Sequence, residues 1–217
     1  MSAVFLKIHL GAGDLVICNG LIRVLAERHG RIIIPAKPHN ESTARWMFSD
    51  DKRIEVCRVE NDNDMLKKAS EWDSIGIGLW SNRGLIPERW SEAFYQDAAV
   101  PLECRWTCFN LPWSELPEVT PQWVVFWHDD PKRKYCISLA VPKHCVYMPS
   151  ANEPFQNHIR PLQAAAEIHV IDSCFLCLAD SIETNAKRHV LHAYATAHDP
   201  YKKFGPPTLR KNWEILI

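Results

Sequence analysis

Short apolar runs alternate with segments of helical period along residues 4–78, and that alternation leaves few folds open. Residues 4–10 (VFLKIHL), 31–36 (RIIIPA), 54–59 and 73–78 have the length and composition of strands. Between them, residues 14–29, 41–48 and 64–71 read as helices. In the first helix Leu15, Ile17, Leu21, Ile22, Val24 and Leu25 roughly keep helical spacing, and Gly30 supplies the stop. Such an order predicts a parallel sheet with helices on both faces. Residues 80–119 break the pattern: they are rich in Trp and Pro, Pro87 opens a helix through Ala98, and the rest reads as irregular connection. Pro117 and Pro121 mark a boundary. A second pattern follows, with strands over 123–127, 145–148, 168–171 and 189–193 and helices over 160–167 and 173–182. Residues 128–134 form a charged loop, and the tail from Pro206 ends in an apolar-polar stretch, 213–217, that can pack back on either half. The predicted class is α/β, two Rossmann-like halves with parallel sheets, over residues 1–118 and 119–217.

Charge narrows the functions. Over 217 residues the net charge is −1, so no global field draws the chain to nucleic acid or an anionic membrane. No run approaches the roughly 18 apolar residues that span a bilayer. The N-terminal run lacks a basic segment or cleavage pattern and reads as a strand, so a cytoplasmic location is expected. The eight cysteines are irregularly spaced, which suits reduced, buried thiols. Cys174 and Cys177 are formally a C-x-x-C, but they fall in a predicted helix with no second pair to complete a metal site.

Two strand-to-helix turns stand out, one per half. The first is Leu10-Gly-Ala-Gly-Asp14, and the second follows Ile168-His-Val-Ile with Asp172-Ser173. In parallel sheets such turns lie at the carboxyl ends of strands, where ligands bind. A helix N-terminus offers unpaired N–H groups and a positive dipole end, which suit a phosphate. Plain N-capping by Asp14, and by Asp172 or Ser173, is the bland alternative. The first turn is not a dinucleotide fingerprint, since Val16 occupies the place of the third glycine. Nor is it a P-loop, because no Lys-Ser/Thr pair ends it. A dinucleotide enzyme also calls for an acidic residue after the second strand, and Pro35-Ala36-Lys37 stands there instead.

This ordered pair resembles the two signatures of the ADP-heptose lipopolysaccharide heptosyltransferases, glycosyltransferase family 9, which have a GT-B fold. The first matches over His9-Leu-Gly-Ala-Gly13-Asp14 and the apolar helix to Ile22-Arg23. The second, an Asp-Thr-Gly-x-x-x-Leu-Ala turn-helix in the family, reads here Asp172-Ser173-Cys174-Phe-Leu-Cys-Leu178-Ala179. The resemblance implies a compact, minimal GT-B-like architecture with an acceptor-side N-terminal domain and a nucleotide-sugar C-terminal domain. It implies Asp14 as the catalytic base, beside an acceptor-side turn of Gly11, Ala12 and Gly13. It places Asp172, Ser173 and Cys174 against the donor's phosphates. Cys174 stands where the family has glycine, the chain is much shorter than a usual member, and the family's Lys-x-Trp donor segment is missing. His128-Asp-Asp-Pro-Lys132-Arg133-Lys134 takes its place. Heptose is therefore not assumed as the sugar.

His128, Lys132, Arg133 and His158 complete the candidate donor or phosphate ligands, although the two cations equally fit a solvated loop. His169, inside an apolar strand, reads as a core histidine; His189 and His192 flank a strand edge. Asp50-Asp51 and Asp129-Asp130 read as turn residues. No histidine pair has metal-ligand spacing and no Asp-x-Asp ends a strand. The expected activity is thus metal-independent transfer, with no cofactor beyond a nucleotide-diphosphate sugar as co-substrate. The acceptor is a glycan, a lipid-linked sugar, a small molecule or a hydroxymethylated base in phage DNA. The last needs a basic patch, which Lys132–Lys134, Lys202, Lys203, Arg210 and Lys211 would have to build on one face. A noncatalytic nucleotide- or sugar-binding module is the reading from a different class.

Overall fold

The computed structural model describes residues 3–8, 11–78, 90–118, 124–138, 145–198 and 207–217. His9, Leu10, Pro87, Pro121, Trp123, Lys202, Lys203 and Pro206, which the sequence reading used, lie outside the described residues. The chain divides into two compact units, Met1–Ser114 and Glu115–Ile217.

The first unit runs β1 (Val4–Lys7), α1 (Ala12–His29), β2 (Ile32–Ala36), α2 (Pro38–Met47), β3 (Ile54–Arg58), α3 (Asp62–Ala69) and β4 (Asp73–Gly76). The helices α4 (Trp90–Asp97) and α5 (Cys104–Thr107) follow. The strands form one parallel sheet in the order β3-β2-β1-β4. Right-handed crossovers then put α1 and α2 on one face and α3 on the other. Met65 and Ala69 of α3 close their face against Ala3, Phe5 and Ile33. β2 is buried along its whole length, as a central parallel strand should be, and Pro35 stands within it.

Most of α1 is buried from Leu15 through Ile22, because α4 and α5 pack on it as well as the sheet. This explains why its apolar residues keep helical spacing only roughly: the helix is covered on several sides. Gly20 is the point of closest approach. A Cβ there would lie 2.0 Å from the Cys104 carbonyl oxygen of α5. The sequence predicts irregular connection over residues 99–119, and α5 corrects it. Further on, Asn110 locks to α1. Its N–H donates to Asn19 Oδ1 (3.0 Å), and its carbonyl accepts from Asn19 Nδ2 (3.0 Å) and Arg23 Nη2 (2.9 Å). Arg23 also pairs with Asp50 at 2.8 Å, so Asp50 is an anchor and not merely a turn residue.

The second unit runs β5 (Val125–His128), β6 (Val146–Tyr147), α6 (Ile159–Ala164), β7 (Glu167–Val170), α7 (Cys174–Ser181), β8 (Arg188–His192) and β9 (Glu214–Leu216). Its sheet is also parallel, in the order β6-β5-β7-β8-β9. The tail therefore packs back as an edge strand on β8. What holds it is the wholly buried Asp180 of α7. Its carboxylate accepts from the Arg210 and Lys211 backbone N–H groups (both 3.0 Å) and from Trp213 Nε1 (3.1 Å). Lys211 Nζ donates to the carbonyls of Ala179 and Ile182 and so caps the carboxyl end of α7. Arg210 pairs with Glu183 at 3.2 Å. The basic patch that duplex DNA would need thus loses Lys211 to helix capping and has Arg210 tied to a carboxylate.

Candidate functional site

In an open parallel sheet the ligand crevice opens where successive connections leave in opposite directions. In the first unit that point lies at β1, flanked by β2 and β4. In the second it lies between β5 and β7. Both turns picked from the sequence fall at these points.

The glycine turn is itself the first turn of α1. Gly11 is the N-cap, Ala12 and Gly13 are the first two helical residues, and Asp14 is the third. The helix thus starts earlier than position 14, and Asp14 is not its N-cap. Gly11 has no side chain to cap with, and its carbonyl accepts the first helical bond from Leu15 N at 3.1 Å. Asp14 folds back over it: a Cβ on Gly11 would lie 2.7 Å from Asp14 Oδ2. The missing side chain is therefore what lets a half-buried carboxylate lie against the turn. The position also sets that negative charge at the positive end of an 18-residue helix.

In the second unit the switch point is bridged by a side-chain bond. His128 ends β5 and pairs in register with Val170 of β7. Ser173 is the N-cap of α7. Its hydroxyl makes no bond to its own helix and instead meets His128 Nδ1 at 3.1 Å. Phe175, two residues on, packs with its ring centre 4.7 Å from that of His128. Burial pushes His128 down to about 4, with Asp130 opposing and Arg133 and His158 adding to the shift. The imidazole is therefore neutral at pH 7, and it offers hydrogen bonds without charge. Asp172, just before Ser173, is 9% exposed. Cys174 is the first helical residue and half-buried.

The remaining candidates are placed differently. His158 is buried, with Nε2 3.1 Å from the Ser150 carbonyl and Nδ1 2.7 Å from the Tyr147 hydroxyl. The carbonyl only accepts, so Nε2 carries the proton and Nδ1 accepts from Tyr147. Both ring nitrogens are thus committed within the fold, and burial lowers the pKa. Lys132 and Arg133 lie on a short 3-10 turn, Pro131–Arg133, just beyond β5. Arg133 is exposed but paired: Nε meets Asp130 Oδ2 at 2.7 Å, and its guanidinium lies 4.9 Å from the Tyr135 ring centre. Burial works to raise Asp130, but the Arg133 hydrogen bonds outweigh it and hold the carboxyl below its usual range. The structure therefore gathers His128, Asp172, Ser173 and Cys174 at one switch point and Gly11, Ala12, Gly13 and Asp14 at the other.

Sequence reasoning missed a third group. On the sheet face opposite α7, His169 Nδ1 lies 2.9 Å from His192 Nε2. His169 Nε2 lies 3.2 Å from Glu167 Oε2, and His192 Nδ1 lies 3.1 Å from the Tyr194 hydroxyl. Trp127 stacks over the His169 ring at 6.1 Å and tilts against His192 at 6.3 Å. Strand alternation was the signal available, because it puts Trp127, His169 and His192 on one face once the register is known.

No family model matches the sequence, and no curated protein matches it. Solved structures do. TibC, an iron-containing dodecameric glycosyltransferase from enterotoxigenic E. coli H10407, aligns with a TM-score of 0.57 and 11% identity. The match covers 88% of this chain and 57% of that one. TibC in complex with ADP-D-beta-D-heptose, described as a heptosyltransferase, gives 0.58 with 11% identity and the same two shares, 88% and 57%. The E. coli heptosyltransferase WaaC with ADP-2-deoxy-2-fluoro heptose gives 0.51 and 10% identity, over 99% of this chain and 92% of that one. The chain thus spans little more than half the length of the TibC structures. At such identities the likeness is one of fold: α/β, with two Rossmann-like parallel sheets, of the GT-B-like kind that the heptosyltransferases have. Among the described residues no helix is long and apolar enough to cross a membrane.

Proposed function

We propose that this chain is a glycosyltransferase that moves a sugar from a nucleotide-diphosphate donor to an acceptor hydroxyl. The observation that carries the reading is the location of the two turns, each at the switch point of its own sheet and each of the type that the heptosyltransferase signatures have. In the proposed reaction Asp14 accepts the acceptor's hydroxyl proton as that oxygen bonds to the anomeric carbon. The bond from that carbon to the donor's phosphate oxygen breaks, and the nucleoside diphosphate leaves with its negative charge. The Asp172–Cys174 backbone, the Ser173 hydroxyl and the N-terminus of α7 receive that charge. His128 serves this site as the neutral partner of Ser173. No metal and no further cofactor is needed for this charge balance. Of the two candidate loop cations, Lys132 remains available to phosphate, because Arg133 pairs with Asp130. The site is proposed to work in the cytoplasm, where nucleotide sugars are at hand.

The test is a thermal-shift screen over UDP-, GDP-, ADP-, CDP- and dTDP-sugars, followed by donor turnover with wild type, Asp14→Asn and Ser173→Ala. A bound donor raises the melting temperature. Asp14→Asn is expected to keep the donor-induced shift and lose about 10²–10⁴-fold in kcat. Ser173→Ala is expected to shrink the shift. Activity that survives a chelator supports metal independence, and its loss refutes that part. Donor binding with no turnover by any form, over glycan, lipid-linked and modified-DNA acceptors, makes the chain a noncatalytic sugar-nucleotide module.

A further inference from the structure

The Glu167–His169–His192–Tyr194 group has no part in the reaction above, yet its hydrogen bonds can be ordered in only one way while both rings are neutral. The Ser138 N–H donates to the Tyr194 hydroxyl oxygen at 2.9 Å. The Glu167 carboxylate, paired with Arg188 at 3.4 Å, is an acceptor at the other end. A neutral imidazole has one N–H. His169 must therefore spend its proton at Nε2, toward Glu167, which leaves Nδ1 to accept from His192 Nε2–H. His192 Nδ1 then accepts the Tyr194 O–H. The result is a single file in one direction: Ser138 N–H to Tyr194, Tyr194 to His192, His192 to His169, His169 to Glu167.

Its upper end is anchored in the segment that carries Lys132 and Arg133. Ser138 closes that segment, and Tyr135 and Ile137 pack with Trp127, Ile171, Ala195 and Tyr194 beyond the carboxyl ends of β5 and β7. We infer that Tyr194, His192 and His169 are positioning residues that latch the 129–138 segment in place through Ser138, and that acid releases the latch. The consequence for donor binding rests on the function proposed above; the latch itself does not.

The proton count gives the release. One added proton can be housed by turning the file round: His169 donates to both Glu167 and His192, and His192 donates to the Tyr194 oxygen. The tyrosine hydroxyl proton then loses its acceptor. A second proton sets N–H against N–H across the 2.9 Å contact, and the two rings must part. The charged groups around the pair are Glu167, Arg188 and Glu214, and each ring also bears on the other. Burial lowers both histidines, His192 to about 4, with Arg188 acting in the same sense and Glu214 against it.

The experiment uses the full chain. Nitrogen-15 spectra of the histidine rings at pH 7.5 should show both as Nε2–H tautomers with bare Nδ1. The protection factor of the Ser138 amide should hold at neutral pH and fall as pH is lowered from about 6.5 to about 4. Tyr194→Phe should lower that protection about tenfold at pH 7.5 and abolish its acid dependence. On the proposed function, the same variant should raise the KM for donor more than it lowers kcat. An Nδ1–H tautomer at either ring, or Ser138 protection unchanged in Tyr194→Phe, overturns the latch. Lost protection with unchanged donor kinetics keeps the latch and refutes its link to the donor. If Tyr194→Phe does not fold, the wild-type tautomers and the acid dependence of Ser138 decide alone.

Discussion

Gly11 and Asp14 make one chemical unit, since the carboxylate occupies space that any other residue at position 11 would fill. Gly11→Ala puts a methyl group 2.7 Å from Asp14 Oδ2 and pushes the carboxylate off the turn. Alanine can adopt the N-cap backbone seen here, φ −80° and ψ 149°, so the fold should tolerate it. The expected result is a kcat lowered about a hundredfold with a melting temperature near wild type, as for a displaced reacting group. Unchanged turnover would detach Asp14 from the chemistry. His128 allows a second prediction of this kind. Without its imidazole the Ser173 hydroxyl can rotate onto the N–H groups of α7, which is what an N-cap serine ordinarily does and is worth about 1 kcal/mol. His128→Ala should therefore lose less stability than the emptied space alone suggests, while the donor-induced thermal shift falls. A shift equal to that of wild type in His128→Ala would refute the positioning role.

At the scale of elements, the α1–α5 contact offers a sharp reversal of propensity. Glycine inside an exposed helix costs about 1 kcal/mol relative to alanine. Gly20→Ala should nonetheless destabilise by about 3 kcal/mol, because its methyl would meet the Cys104 carbonyl at 2.0 Å and backbone, unlike a side-chain tip, cannot step aside. Denaturant unfolding measures this, and a more stable Gly20→Ala would show that the two helices do not meet so closely. Nothing in the sequence announced Gly20, since the residues that crowd it come from a segment read as irregular. The sheet elements were legible because parallel strands bury both faces, and RIIIPA can hardly do otherwise. The turn that opens α1 was legible through its two glycines, Gly11 and Gly13. The His169–His192 pair was not, because it depends on the register of β7 on β8, with His169 opposite Val190, and no local pattern encodes that. The anchoring of the tail was equally hidden. Asp180 lies inside an apolar helix, and only the folded chain shows that its carboxylate is answered by three N–H donors.

Across the whole molecule the titrating groups are unevenly divided, and this sets how the protein should fail in acid. His128, His158, His169, His189 and His192 all have pKa values lowered by burial, and all five belong to the second unit. A histidine with a lowered folded pKa binds fewer protons in the native state than in the unfolded one. Stability therefore rises with pH across the interval between the two values. For His128 and His192 that interval runs from 6.5 down to about 4. In the first unit Asp51 and Asp64 are lowered too, but from 3.8, so their effect falls at more acid pH: Arg53 hydrogen bonds prevail over burial at Asp51, and the Glu60 N–H leads at Asp64. Their contribution is present above the unfolded value and is lost only as pH falls through the lowered folded ones. The second unit should thus loosen first on acidification. Hydrogen exchange followed from pH 7.5 to 4.5 should show β7 and β8 losing protection while β1 and β2 keep theirs. Replacing His192 by Gln should flatten that response, since a glutamine side chain takes up no proton in this range. Equal loss in both units, or earlier loss in β1 and β2, would show that the buried histidines of the second sheet do not govern its acid response.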